Sequence, residues 1–165
     1  MNKAATLNEQ QGVAMVEFAI VAPLLIILFL GITEFGHALY QHNTINKAVA
    51  VGARYLARTY EGLDVSCNPV AGVWATAKIE AENLVVFGNI NGTGVSKVPG
   101  LTPGDVTIYP PASVGSGSVT GCVVTVVVNA AYDPIFSALF HGASSLLSLP
   151  GFRLYAASQE RYIGE

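Results

Sequence analysis

Charged residues are scarce in this sequence, which has eight lysines and arginines and eleven aspartates and glutamates among 165 residues. The resulting net charge of −3 lacks the basic excess that is typical of nucleic-acid-binding proteins. We therefore expect no nucleic-acid partner. Hydrophobic residues make up 52% of the chain, and part of that excess lies in one long run near the N-terminus.

Enzyme motifs are also missing. There is no P-loop, no complete GxGxxG, since Gly92-Thr93-Gly94 lacks the third glycine, and no GxSxG around Ser116 or Ser144. The histidines have no neighbouring ligand set in the sequence, so packing or solvated roles are favoured over metal binding: His37, His42 and His141. We expect no catalytic residue, no metal and no cofactor.

Cysteine occurs only twice, at Cys67 and Cys122, and both residues follow the long apolar run. If this part of the chain is exported, the two thiols would oxidise to one disulfide, whereas in the cytosol they would remain a thiol pair. We favour the disulfide. Closing a loop of this size would stabilise the domain by roughly 4 kcal/mol in the chain-entropy model.

The long apolar run is the feature around which the chain is organised. Residues 18–32 contain no charged and no hydrogen-bonding side chain, and residues 13–33 are about as long as the ~20 residues that span a bilayer. Eleven of residues 18–32 are Leu, Ile, Phe or Val, which together favour insertion by about 3 to 7 kcal/mol. The single acid, Glu17, costs about 2.5 to 3.5 kcal/mol at the bilayer centre and less near its edge. We predict a transmembrane helix over residues 13–33.

Residues 1–12 form a short polar leader that we expect to lie in the cytoplasm. No small-residue cleavage site follows the apolar run, which excludes an ordinary signal peptide cut behind it. Either the segment remains as an anchor, or processing occurs in front of it, at Gly12. The distribution of charges is only weak evidence for the membrane topology, since only Lys3 precedes the run and Lys47 is the nearest cation after it. The cysteines favour an exported C-terminal domain.

The helix is predicted to continue beyond the membrane, over residues 34–61, with Gly62 as a plausible end. An apolar stripe recurs there at helical spacing: Ile45, Ala48, Val49, Gly52 and Leu56. A basic stripe lies on another face: Lys47, Arg54 and Arg58. Within the apolar run, Pro23 predicts a kink in the helix. Either the proline is simply tolerated in the membrane, or the kink shapes the helix for packing against neighbouring helices.

The stretch from residue 11 to residue 58 resembles the TadE-like family of bacterial tight-adherence (Tad/Flp) pilus systems. The matching features are Gly12, Val16-Glu17-Phe18-Ala19, Pro23, Glu34-Phe35-Gly36 and Ala53-Arg54. The resemblance implies a minor pilin or pseudopilin with the architecture of a type IV pilin. It also implies partners: a prepilin peptidase, other pilins, the Tad inner-membrane assembly proteins and the membrane itself.

The resemblance assigns roles to three residues. A prepilin peptidase would cut between Gly12 and Val13, and Glu17 would then be the fifth residue of the mature chain. Its carboxylate would pair with the new amine of Val13 and set the axial register of a subunit. The alternatives are an uncleaved, membrane-anchored periplasmic module of the same machinery, a Glu17 that merely faces water at the membrane edge and, less favoured, a membrane-tethered enzyme or binding protein.

Residues 62–165 are predicted to form a small periplasmic α+β domain with about three antiparallel strands. The pattern indicates a helix over residues 70–87 with Trp74 on its apolar face, a loop over 88–104, and strands over 105–109, 122–131 and 152–162. Residues 110–121 are rich in Gly and Ser and predict a turn region, and the valine-rich strand at 122–131 suggests burial on both faces. The acids Asp105, Asp133, Glu80 and Glu82 are interpreted as helix caps and solvated charges.

A second apolar stripe follows Asp133-Pro134, which resembles a helix start. Its members are Ile135, Phe136, Leu139, Phe140, Leu146 and Leu147. This stripe is either a contact surface, for the long helix, a partner pilin or the bilayer, or one side of an ordinary core helix. The interruption at residues 142–145 favours a bent or looped element.

Overall fold

The computed structural model describes residues 3–116, 119–135 and 152–164. Within them, two helices, α1 (Lys3–Ala57) and α2 (Val73–Phe87), precede a 3₁₀ turn at Pro103–Asp105 and three strands. The strands are β1 (Val106–Ser116), β2 (Val119–Ala131) and β3 (Arg153–Arg161). The expected α+β class is confirmed, with a long N-terminal helix followed by a small antiparallel sheet in a pilin-like layout.

The chain divides into two compact units, Met1–His37 and Ala38–Glu165, and α1 contributes residues to both. In the first unit α1 carries the apolar run. In the second unit its apolar stripe is buried as the spacing predicted, since Ile45, Val49 and Leu56 are fully inaccessible. Amphipathic periodicity therefore located the buried face of this helix correctly.

Helix α1 ends at Ala57, four residues before the predicted end at residue 61. The amides of Arg58 and Thr59 donate to the carbonyls of Tyr55 and Leu56, both at 3.2 Å, so the last turn tightens to i→i+3 bonding. The helix also begins earlier than the apolar run, at Lys3, and passes through the predicted leader.

The sheet has the order β1-β2-β3, and both pairings are antiparallel. Val106 pairs with Val128 and Ser116 with Val119, while β2 and β3 pair from Val123↔Arg161 to Ala131↔Arg153. One hydrophobic core joins the second half of α1, helix α2 and one face of this sheet. The sheet therefore buries one face, as antiparallel sheets commonly do.

The predicted turn over residues 110–121 is wrong. Strand β1 continues to Ser116 and β2 already begins at Val119, so most of the Gly/Ser-rich stretch is paired strand. The register shifts between Tyr109 and Ala112, where Pro110 and Pro111 lie. Because β1 is an edge strand, prolines that cannot donate a hydrogen bond are accommodated there at an irregularity.

Burial of β2 on both faces is also wrong for most of the strand. Val124, Val126, Val128 and Ala130 are buried, whereas the alternate positions Thr125 and Asn129 are half-buried and exposed. Among those alternate positions only Val127 is buried. The valine-rich composition of β2 reflects its central position between β1 and β3, and not burial of both of its faces.

Helix α2 begins at Val73, three residues later than predicted, and ends at Phe87 as predicted, with Gly88 as a left-handed cap. Trp74 is a core residue, with 8% of its surface exposed. The last strand agrees with the prediction apart from one residue at each end, since Phe152 lies before β3 and is exposed, and Tyr162 lies after it. The rest of the second apolar stripe, residues 136–147, and the hypothesis attached to it lie outside the described residues.

Candidate functional site

The apolar segment of α1 is exposed on every side. Large apolar side chains that stay more than half accessible include Val13, Phe18, Ile20, Leu24, Ile27, Phe29 and Ile32. A helix that is apolar all round requires apolar surroundings. Helix α1 is long enough and apolar enough to cross a membrane, and this property is compatible with a single-pass anchor.

The predicted processing residues lie on this segment. A methyl group added at Gly12 would meet no atom within 4 Å, so the backbone is open there. Val13 and Glu17 are both exposed and are four positions apart, which places them on one face of the helix, one turn from each other. An amine at Val13 and the Glu17 carboxylate would therefore be about one helical turn apart.

Pro23 lies inside α1, and the helix continues past it. Because proline has no amide hydrogen, the carbonyl of Ala19 lacks its usual donor at this turn. The kink that Pro23 implies stays a prediction.

The disulfide predicted from the two cysteines is present. The Sγ atoms of Cys67 and Cys122 are 2.06 Å apart, and the two residues are separated by 55 positions in the sequence. Cys67 lies in the loop between the helices, whereas Cys122 lies in β2. The bond therefore ties the loop that follows α1 to the central strand of the sheet.

The loop that carries Cys67 is ordered by one acid. The Asp64 carboxylate accepts hydrogen bonds from the amides of Ser66 and Asn68, both at 2.8 Å, and from the Asn68 side chain at 3.0 Å. These bonds, those of Asn68 first, lower the pKa of Asp64. The sequence analysis did not single out Asp64, although Asp-x-Ser-x-Asn is a composition typical of turns.

The end of α1 is held by the last residues of the described chain. The Tyr162 hydroxyl donates to the carbonyl of Thr59 at 2.6 Å and accepts from the amides of Gly62 and Leu63 at 2.8 and 3.1 Å. The amide of Ile163 donates to the carbonyl of Ala57 at 2.8 Å. Sequence reasoning missed Tyr162, because no local pattern connects residues about a hundred positions apart.

A shallow groove of about 630 Å³ lies beside the C-terminal turns of α1. It is lined by Val51, Arg54, Tyr55, Arg58, Thr59, Tyr60 and Leu84. The Tyr55 hydroxyl donates to the Glu80 carboxylate, and this bond, with burial and the negative charge, raises the pKa of Tyr55 to about 12. Glu80 is therefore a hydrogen-bond acceptor at a helix contact and not the solvated charge that we expected.

Asp105 and His42 have structural contacts. Asp105 accepts from the amide and hydroxyl of Thr102 at 3.0 and 2.7 Å, so its predicted capping role is confirmed. The His42 ring contacts the carbonyl of Tyr155 at 3.2 Å and the Asn46 amide at 3.1 Å. Among the described residues, no three potential His, Cys, Asp or Glu ligands come together as a metal site.

Comparison with known proteins gives a match to a family model. The family model for the TadE-like protein matches residues 12–54, which cover the apolar run and the buried part of α1 up to Arg54. Neither the curated proteins nor the solved structures contain a match to this chain. The match falls on the residues whose pattern indicated this family. Over residues 12–54 the chain is therefore similar to the TadE-like family.

Proposed function

We propose that this protein is a minor pilin or pseudopilin that takes part in the assembly or function of a Tad/Flp-type pilus. The observation that carries the proposal is the TadE-like segment at residues 12–54, whose first part is an exposed apolar helix. A folded domain tied by a disulfide follows it. The chain would act through protein contacts, in adhesion or secretion, and not as an enzyme.

The proposed location is the bacterial inner membrane, crossed once by residues 13–33, with the C-terminal domain in the periplasm. A disulfide between Cys67 and Cys122 supports an oxidising compartment for that domain. The partners in this proposal are a prepilin peptidase, other pilins and the Tad inner-membrane assembly proteins. Incorporation into an extracellular pilus would follow from cleavage.

The proposed role of Glu17 is to set the subunit register. Cleavage after Gly12 would create an amine at Val13, and the Glu17 carboxylate is one helical turn away on the same face. In a medium of low dielectric constant the two charges attract far more strongly than in water. An acid inside an apolar segment needs such a partner, either on its own chain or on the neighbouring subunit.

The alternative is an uncleaved inner-membrane module that organises the same machinery. One observation favours it: α1 runs without a break from Lys3 through Gly12, so the cleavage bond lies within a helix. A peptidase would have to unwind that turn before it cut the chain. The two candidates differ in the mass of the mature protein.

The test combines intact-mass analysis with one substitution. In cells with an active prepilin peptidase we expect a chain that begins at Val13, and a chain that begins at Met1 would establish the anchored alternative. Glu17→Ala should still insert and be cut, yet be recovered poorly with assembled pili. Glu9→Ala, which removes an acid from the leader, is the matched control and should be incorporated normally. Normal incorporation of Glu17→Ala would refute the register role.

A further inference from the structure

The proposed role of α1 does not explain the basic stripe on this helix. Lys47, Arg54 and Arg58 are all exposed, and their spacing of seven and four residues puts them on one face of the helix. They are three of only eight lysines and arginines in the sequence. The remaining chain has five cations and eleven acids, so positive charge is concentrated on this face.

Only one of these cations has a partner among the described residues. Arg54 forms an ion pair with Glu160 at 3.3 Å, whereas Lys47 and Arg58 form none with any residue in the described ranges. Two carboxylates that contact groove residues are engaged, Glu160 with Arg54 and Glu80 with the Tyr55 hydroxyl. No acid lines the groove itself.

The groove places these basic residues next to apolar and aromatic side chains. Two arginines, Arg54 and Arg58, line the same groove as Val51, Tyr55, Tyr60 and Leu84. Tyrosine and arginine are the residue types that dominate the centres of protein interfaces, and Tyr60 remains 67% exposed. A concave site with aromatic walls suits inserted side chains better than a flat lipid surface does.

We propose that this groove, lined by Arg54, Tyr55, Arg58 and Tyr60, binds an acidic segment of a partner protein that carries apolar side chains between its carboxylates. The partner's carboxylates would pair with Arg58 in the groove and with Lys47, which lies outside the groove on the same face of α1. Its apolar side chains would contact Tyr55, Tyr60 and Leu84. Residues 136–151 contain no acid, so this segment cannot supply the carboxylates. The proposal does not depend on cleavage or on a pilus role.

The test uses the full chain in nanodiscs of zwitterionic lipid and a fluorescein-labelled, end-blocked peptide of sequence GEEFEELG. We expect the fluorescence anisotropy of the peptide to rise to a plateau as protein is added, and the affinity to fall as the salt concentration rises. The same peptide with glutamine in place of every glutamate should bind with about tenfold lower affinity. Arg58→Gln should weaken binding by about five- to tenfold. Lys97→Gln is the matched control, since Lys97 is exposed, outside the groove, and loses the same charge.

Several results would overturn the proposal. The first two are an Arg58→Gln variant that binds the peptide as tightly as the parent, and a Lys97→Gln variant that loses as much affinity as Arg58→Gln. The other two are binding of the peptide to nanodiscs without the protein, and binding that requires anionic lipid in the disc.

Discussion

At the scale of single residues, Asp64 controls the loop that carries the disulfide. Its three hydrogen bonds favour the charged form, so we expect an NMR titration of the Asp64 carboxyl to give a pKa below the ordinary value of 3.8. Because the folded-state pKa is lowered, this contribution to stability is present above pH 3.8 and is lost as the pH falls through the lowered pKa.

The matched variant for this titration is Asn68→Ala, which removes the side-chain donor, the largest cause of the shift. The pKa of Asp64 should then move back toward 3.8. Glu61→Gln, which leaves the three hydrogen bonds intact, should not change it. An Asp64 pKa that is the same with and without Asn68 would show that the loop geometry is not held by these bonds.

Tyr162 is the second residue whose side chain joins distant parts of the chain. Tyr162→Phe leaves the amides of Gly62 and Leu63 and the carbonyl of Thr59 without this partner. We expect the free energy of unfolding to fall by about 1 to 3 kcal/mol, the usual cost of unsatisfied, partly buried polar groups. Denaturant unfolding of the full chain in detergent measures it.

The control for Tyr162 is Tyr109→Phe, since Tyr109 is 51% exposed and forms no hydrogen bond through its hydroxyl among the described residues. Its effect should stay within about 0.5 kcal/mol. Equal stability of the two variants would mean that the hydroxyl of Tyr162 contributes nothing to holding the end of α1.

At the scale of secondary-structure elements, Gly52 permits the close approach of α1 and α2. A Cβ at this position would lie 2.6 Å from Cγ2 of Val85, whose side chain is fully buried and β-branched. We expect Gly52→Ala to destabilise the protein by about 1 to 3 kcal/mol through overpacking, although alanine favours a helix by up to ~1 kcal/mol. Thermal or denaturant unfolding measures the change.

Gly36→Ala is the comparison on the same helix, because a Cβ there meets no atom within 4 Å. It should leave stability unchanged or raise it by up to ~1 kcal/mol. If Gly52→Ala is as stable as Gly36→Ala, then the two helices can separate without cost and the packing at Gly52 does not matter for stability.

At the scale of the whole molecule, the disulfide connects the fold to the compartment. In protein taken from its native compartment, alkylation under non-reducing conditions should label neither Cys67 nor Cys122. The double variant Cys67→Ser/Cys122→Ser should lose about 2 to 4 kcal/mol of stability, since closing a loop of 55 residues restricts the unfolded chain.

The single variant Cys67→Ser is the positive control for labelling, because it exposes the Cys122 thiol to the reagent. Two labelled cysteines in the parent protein would contradict the disulfide and, with it, the proposed periplasmic domain. A double variant as stable as the parent would show that hydrogen bonds, such as those of Tyr162, suffice to tie the end of α1 to the sheet.

The sequence alone determined the features that depend on local composition and periodicity. The apolar run at residues 13–33, the buried stripe through Ile45 and Val49, and the C-terminal end of α2 follow from spacings within one element. The TadE-like pattern and the pairing of the only two cysteines were also readable in the chain. These features need no knowledge of which distant segment contacts which.

Only the tertiary structure decided the features that depend on contacts between distant residues. Strand β1 extends through Pro110 and Pro111 because β2 pairs with it, which no local propensity for turns could reveal. Glu80 receives a hydrogen bond because the fold brings Tyr55 to it, and Tyr162 binds the end of α1 across about a hundred positions. Long-range pairing overrode local preference at these places, since packing and backbone hydrogen bonds there outweigh propensities worth about 1 kcal/mol or less.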